Sequence, residues 1–219
     1  NFKPYNSMLA SFDMPFKNSK WSLGIQISNF RAGTGNFNVL QGLISTSYNT
    51  AIDRKKNHGL SFGVQGGIIQ KSLEYQLLSF NNQYSFYNGG YFDQSIASNE
   101  NMGSSSTIVP SLNAGIMYYY AKQQARLNPF VGFSAFNLLN AKETLFASDN
   151  RLPMRYYLHF GTRVNITETL YIIPKVLMSM QRNLTETTVA AELGYFLKNS
   201  DIHLLVGAVH RVNDAMVIT

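Results

Sequence analysis

The sequence has no cysteine, few charged residues and no long apolar run. Without cysteine there is no disulfide framework and no thiolate metal site, and the chain is compatible with an oxidising envelope compartment. No segment reaches the ~18 consecutive apolar residues that a transmembrane helix needs. The mean hydropathy of −0.12 is also too low for a helical membrane protein. These absences exclude disulfide-rich folds and helical membrane proteins.

The composition favours β-structure. Only 14% of the residues are charged, whereas the chain contains 16 glycines, 13 tyrosines and 15 phenylalanines. Aromatic residues are enriched in strands, and low charge is unusual for a helical protein. The formal net charge is +6, but the basic residues are scattered, and their densest cluster, residues 53–58, is typical of a solvated hairpin turn. We therefore expect no nucleic-acid partner.

Residues 155–166 show the pattern that recurs along the chain. One set of alternate positions includes Tyr156 and Phe160, and the other includes His159 and Arg163. Because side chains alternate between the two faces of a strand, this segment has one apolar and one polar face. We expect the Tyr156 face to contact lipid and the His159 face to line a lumen.

About eleven such segments follow one another, and none has a helical period. They are Ser7–Met14, Trp21–Arg31, Val39–Ile52, Gly59–Lys71, Val109–Tyr120, Asn128–Leu138, Arg155–Ile166, Leu170–Gln181, Thr187–Lys198, Ile202–Arg211 and a fragment from Ala215. The pattern predicts an all-β fold, an antiparallel transmembrane β-barrel of the outer-membrane type. We expect a single domain over residues 1–219, incomplete at both ends, with about 12–14 strands in the full protein.

The connections between these strands are predicted to alternate in length. Those at residues 16–20, 53–57, 121–127, 166–169 and 199–201 are short. Those at residues 31–37, 73–107, 139–154, 182–186 and 212–214 are mostly longer or more irregular. Outer-membrane barrels have short periplasmic turns and longer outer loops. A soluble β-sandwich or lipocalin-like barrel is the alternative, since alternation alone does not separate them.

Aromatic residues on the apolar face suggest a membrane interface. Five of them lie near the short-turn end of their strands: Trp21, Tyr48, Tyr118, Tyr120 and Tyr195. Aromatic girdles of this kind mark the interfaces of membrane barrels, so we expect these residues to contact outer-membrane lipid. Tyr171 lies at the same level but on the other face.

Motifs for chemistry are missing. The four histidines are isolated from one another: His58, His159, His203 and His210. No nucleophile motif, phosphate-binding loop or complete dinucleotide fingerprint occurs. We predict no catalytic, cofactor-binding or metal-binding residues, and no enzyme activity.

One group of polar residues is predicted to meet on the lumen face. Pairing across the turn near residue 167 sets His159 opposite Lys175, and pairing near residue 184 brings Glu192 close to Lys175. Such a cluster could hold the lumen closed or plugged. The alternative is that the three are ordinary solvated lumen residues.

The long connection at residues 73–107 is a candidate partner-binding loop at the surface or mouth of the barrel, because loops of this length are usually functional or disordered. Its aromatic residues are of the types that protein interfaces use: Tyr75, Tyr84, Phe86, Tyr87, Tyr91 and Phe92. They could equally pack the loop against itself. The connection at residues 141–153 is expected to lie at the same end.

Several segments together resemble the PorP/SprF family of the type IX secretion system in Bacteroidota. They keep the order of that family along nearly the whole chain: Phe12–Phe16, Gly63–Gly67, Gln70, Leu73, Leu78–Phe80, Gln83, Tyr91–Asp93, Leu152–His159 and Asp214–Ile218. The segment Leu152–His159 is the most specific.

The resemblance implies a non-enzymatic β-barrel of the bacterial outer membrane. It implies a role in secreting large surface adhesins that carry C-terminal sorting domains, or in anchoring them, as in gliding motility. It also implies contacts with other type IX secretion or gliding components on the periplasmic side. The alternative function is a diffusion channel or a transporter of hydrophobic substrates.

Overall fold

The computed structural model is an all-β protein built on one large antiparallel sheet. It describes residues 5–99, 105–122, 125–143, 150–197 and 202–218, except for the side chains of Asn88 and His203. In these ranges the strands are β1 (Asn6–Pro15), β2 (Trp21–Ala32), β3 (Phe37–Ala51), β4 (His58–Ser72), β5 (Tyr84–Ser85), β6 (Tyr91–Phe92), β7 (Ser106–Tyr120), β8 (Leu127–Phe136), β9 (Arg155–Asn165), β10 (Leu170–Gln181), β11 (Leu184–Phe196), β12 (His203–Arg211) and β13 (Met216–Ile218). The small pair β5–β6 lies apart from the main sheet.

The prediction of eleven strands in one antiparallel sheet is confirmed within the described ranges. The main sheet has eleven strands, and each pairs with the strands that precede and follow it in that sheet along the chain. Most predicted bounds agree within two residues. The largest differences are at β7 and β11, which begin three residues before the predicted Val109 and Thr187, at Ser106 and Leu184.

Antiparallel pairing carries each face of the sheet from strand to strand, because directly opposed residues point to the same side. Val131, Phe160, Val176 and Val189 form one such row across β8, β9, β10 and β11. This face, the outer face, holds most of the exposed aliphatic and aromatic strand residues. Strands of 9 to 15 residues are long enough to cross a bilayer at a tilt. The outer face is therefore suited to lipid.

The opposite face, the inner face, contains much of the small core. Val109 is completely buried there, and Ser111 and Asn113 follow it on β7. The Asn113 side-chain amide donates to Oε1 of Gln65 at 2.9 Å, and its Oδ1 accepts from the backbone N–H of Asn137 at 3.0 Å. Buried polar groups must be hydrogen-bonded to be tolerated. Asn113 is thus satisfied within the inner face, whereas the buried hydroxyl oxygen of Ser111 has no hydrogen-bond partner among the described residues.

The sheet curls so that distant strands share the space in front of the inner face. Ile69 of β4 and Leu177 of β10 line one cavity of about 470 Å³. A second cavity of about 440 Å³ lies between residues of β1 and β8, including Asp13 and Ser134. Within the described ranges the sheet has two edges, β1 and β13, and is not closed. Its curvature and continuous outer face are consistent with a barrel.

The predicted difference in length between the two sets of connections is only partly correct. At the end with the longer predicted loops, three connections are short: residues 33–36, 182–183 and 212–215. In the first two, the outer residues of the predicted loops belong to strands. Arg182 adopts φ 53°, which lets a two-residue turn join β10 to β11. The asymmetry therefore depends on two loops, residues 73–105 and 137–154.

Candidate functional site

Lys175 and Glu192 lie together on the inner face. Their side chains form a salt bridge between β10 and β11. The Cα partner of Lys175 is Ala190, so the ion pair is a diagonal contact, which long side chains can span. Both side chains remain partly exposed. A role for this pair in closing a lumen stays a prediction.

The prediction that His159 lies opposite Lys175 is wrong. β9 and β10 pair around residues 166–169 in a register that sets His159 opposite Leu177 and Lys175 opposite Gly161. A shift of two residues keeps every side chain on its face but changes its neighbours. The His159 ring instead lies against Gly132, where an added Cβ would overlap it.

The contact between His159 and Gly132 is one of four of the same kind. In each, an inner-face glycine is covered by the ring of its Cα partner on the neighbouring strand. The pairs are Gly59–Tyr119, Gly132–His159, Gly161–Phe130 and Gly194–Tyr171. A Cβ at any of these glycines would overlap the ring. Glycine within a strand marks such close approaches, and the covering ring restores packing.

The surroundings of Tyr171 explain why this aromatic residue lies on the inner face, whereas the predicted interface aromatics lie on the outer face. Tyr171 is only 4% exposed, and its ring lies between Gly194 and the guanidinium group of Arg163. The Arg163 Cζ is 3.8 Å from the ring centroid, a cation–π contact. Tyr171 is therefore part of the inner-face packing.

Four of the five predicted interface aromatics lie at one end of the sheet, on β2, β3 and β7, with β4 between β3 and β7. Trp21 and Tyr48 are Cα partners whose ring centroids are 5.0 Å apart. Tyr48 is in turn opposite Phe62, which the sequence analysis did not select. Tyr195 lies farther along the sheet on β11, opposite Leu170.

His58 joins the other two aromatics of this group. Its Nδ1 is 2.8 Å from the Tyr118 hydroxyl, and its ring centroid is 4.8 Å from that of Tyr120. An isolated histidine gives no sequence signal for this role. The role becomes visible only in the β4–β7 register, which sets His58 opposite Tyr120. Polar-tipped rings in a row suit a membrane–water boundary. Contact with lipid remains a prediction.

The loop between β4 and β7 has structure of its own, which the sequence analysis did not predict. Two short 3₁₀ turns precede the strand pair β5–β6, and a third joins its two strands. Gln83 organises them: its Oε1 accepts from the backbone N–H of Phe80 at 3.0 Å, and its Nε2 donates to the carbonyl of Ile96 at 2.9 Å. Gln83 is buried although it lies in a surface loop. The family resemblance included this residue, but no role could be read from it.

The carboxylate of Asp93 accepts two local hydrogen bonds in the second half of this loop. Oδ1 of Asp93 accepts from the hydroxyl of Ser95 at 2.6 Å and from its backbone N–H at 2.9 Å. The Ser95 hydroxyl, followed by its backbone N–H, lowers the pKa of Asp93 below its usual value because these donors favour the carboxylate.

The loop aromatics divide into packed and exposed residues. Tyr84 contacts Phe86 and Phe92 edge-on, with ring centroids 5.2 and 5.3 Å apart. At the hairpin tip, however, Phe86 is 86% exposed and Tyr87 is 82% exposed. Tyr91 and Phe92 are about half exposed, whereas Tyr75 lies in the first 3₁₀ turn, outside this cluster. Self-packing therefore supports the hairpin and leaves its tip free.

The connection between β8 and β9 folds back toward the inner face. Lys71 at the end of β4 forms a salt bridge with Glu143 of this connection, and both side chains are largely shielded from solvent. Asn137 and Gln181 both donate side-chain hydrogen bonds to the carbonyl of Pro153, each at 3.2 Å. No sequence pattern relates Lys71 to Glu143, which lie 72 residues apart.

Among the described residues, no group of three or more histidine, cysteine or acidic residues could hold a metal ion. In the same ranges no helix has the length and apolar character needed to cross a membrane.

A comparison with protein families gives one match. The family described as type IX secretion system membrane protein PorP/SprF matches residues 1–219, the whole chain. Neither the curated proteins nor the solved structures gave a match. The matching family is one of secretion-system membrane proteins and not an enzyme family. The all-β sheet with its apolar outer face agrees with the family assignment. The chain belongs to the PorP/SprF family of type IX secretion system membrane proteins.

Proposed function

We propose that the chain is an outer-membrane β-barrel that helps to secrete large surface adhesins with C-terminal sorting domains, or anchors them at the cell surface. The observation that carries the proposal is the supported hairpin at Tyr84–Phe92, which presents Phe86 and Tyr87 to solvent. Large exposed aromatic residues on a pre-ordered support are typical of protein-binding hot spots. The hairpin is the partner-binding element.

The outer face provides the membrane anchor. Its rows of apolar residues cross the whole sheet, and the Trp21–Tyr48 pair lies at one end of them. This end, which has only short turns, faces the periplasm and contacts other type IX secretion or gliding components. The loop at residues 73–105 lies at the opposite end, facing the cell exterior.

Affinity purification from the native envelope tests the adhesin role. The double variant Phe86→Ala/Tyr87→Ala removes both tip rings, and Phe16→Ala removes an exposed ring at the opposite end of the sheet as the matched control. Mass spectrometry is expected to find an adhesin with the wild-type chain and with Phe16→Ala. The double variant is expected to lose most of it while reaching the outer membrane at the same level. Equal recovery from all three would refute the role of the hairpin.

A diffusion channel or transporter is the second candidate. The observation in its favour is the pair of cavities of about 440 and 470 Å³ on the inner face, each lined by both polar and apolar residues. Planar-bilayer recordings separate the two functions. Steady ion conductance by a chain that purifies without an adhesin favours the channel, and a non-conducting chain that retains its adhesin favours the anchor.

A further inference from the structure

The cavity between β4 and β10 contains a positive charge that no carboxylate of the described chain neutralises. Arg155, at the start of β9, is exposed to solvent and lines this space at the end of the sheet where the two long loops lie. Its Nε and Nη2 donate to Oε1 of Gln181, and its Nη1 donates to the Tyr157 hydroxyl at 3.3 Å. Both acceptors are neutral. No ion pair of Arg155 occurs within the described ranges.

The same hydrogen bonds orient the guanidinium group. A guanidinium group has five N–H donors, and these contacts use three of them. Two donors are left for a ligand, on a group whose side chain is already held in place. A pre-oriented arginine loses less conformational entropy on binding and favours planar acceptors such as carboxylates.

The remaining lining of the cavity limits the kind of ligand. Lys71 already pairs with Glu143, so it does not supply a free charge. Tyr157 and His159 are the other titratable lining residues among those described. Ile69, Leu152 and Leu177 provide apolar walls. A cavity of a few hundred Å³ with apolar walls and a few oriented polar groups is typical of ligand sites.

We infer that this cavity binds a carboxylate group carried on an apolar body, with Arg155 as the anion-binding residue. A small organic acid and an acidic side chain of an inserted polypeptide offer the same group. The inference does not depend on the proposed adhesin role, because it rests on the cavity alone.

Calorimetric titration of the full chain in a neutral maltoside detergent tests the site. The probe is 3-phenylpropionate, and 3-phenylpropionamide has the same apolar body without the charge. The acid is expected to bind at least about tenfold more tightly than the amide. One charge-assisted hydrogen bond contributes more free energy than a tenfold change in affinity requires. Equal binding of acid and amide overturns the inference.

Two variants assign the binding to Arg155. Arg155→Gln is expected to reduce the affinity for the acid to that of the amide, whereas Arg31→Gln, on the outer face at the same end of the sheet, leaves it unchanged. Gln181→Glu sets a carboxylate beside Arg155 at the loss of one hydrogen bond to Pro153, and it is expected to abolish binding in a folded chain. Unchanged affinity in either Arg155→Gln or Gln181→Glu overturns the inference.

The source of the carboxylate is distinguished by competition. A short peptide with one glutamate among apolar residues is tested against its glutamine counterpart. Displacement of 3-phenylpropionate by the glutamate peptide alone supports a polypeptide ligand. Binding of the small acid without displacement by either peptide supports a small organic acid.

Discussion

Lys175 and Glu192 form a salt bridge although neither is the Cα partner of the other. Glu192 is opposite Ile173 and Lys175 is opposite Ala190, so their side chains meet diagonally between β10 and β11. The two-residue turn at 182–183 sets this register. The pair lies on the inner face, where the negative charge of Glu192 neutralises the positive charge of Lys175.

Removing one member of this pair should destabilise the chain. Because both side chains are partly exposed, the coupling is expected to be about 1 kcal/mol. Urea unfolding in detergent, followed by the fluorescence of Trp21, the single tryptophan, measures it. Glu192→Gln, Lys175→Met and the double variant complete a cycle. Strictly additive effects would mean that the ion pair contributes nothing to stability.

The covered glycines should tolerate no side chain. Gly194→Ala is expected to lower the free energy of unfolding by about 1–3 kcal/mol, because the new methyl group overlaps the buried Tyr171 ring and displaces it from Arg163. Gly42→Ala is the control, since nothing lies within 4 Å of its Cβ position. Similar stabilities of the two variants would contradict the close packing of Tyr171 on Gly194.

Trp21 should lie near the membrane–water boundary. In vesicles of lipids brominated at different depths, its fluorescence is expected to be quenched most by bromine near the headgroups and least by bromine at the chain ends. Tyr48→Ala removes its ring partner and serves to test whether that partner fixes its depth. Quenching that is strongest at the bilayer centre, or absent at all depths, would show that Trp21 is not an interface residue.

The order of the long loop should depend on pH. The pKa of Asp93 is lowered in the folded loop, so its stabilising contribution is present above the ordinary carboxyl pKa of about 4 and is lost as the pH falls through the lower folded value. The hydrogen-exchange protection factors of residues 93–96, which correct for the intrinsic pH dependence of amide exchange, are expected to fall in this acidic range. Asp93→Asn should raise exchange at neutral pH and remove the dependence. A pH-independent wild-type loop would contradict this linkage.

Local patterns were sufficient to predict most of the fold. Alternation of apolar and polar residues gave the order, the approximate bounds and the two faces of the strands, since side-chain direction along a strand depends only on parity. The same parity placed Trp21 and Tyr48 on the outer face and Lys175 and Glu192 on the inner face. The predicted register of His159 was wrong. Register across a hairpin depends on the centre of the turn, and the sequence did not locate that centre to within one residue.

Other features had no local signal. The salt bridge between Lys71 and Glu143 joins distant segments, and Gln83 is buried only because the loop closes around it. The glycine–aromatic pairs also depend on register, which aligns each ring with its glycine.

The sequence by itself therefore determined the strand content, the face of each side chain and the family, because these follow from composition, periodicity and local motifs. Only the tertiary structure decided which inner-face cations pair with a carboxylate of the described chain and which are held by neutral acceptors. Arg155 differs from Lys175 in this respect: neutral acceptors surround Arg155, whereas Glu192 reaches Lys175. That difference arises from the register and curvature of the sheet, which bring side chains from separate strands within reach of each other.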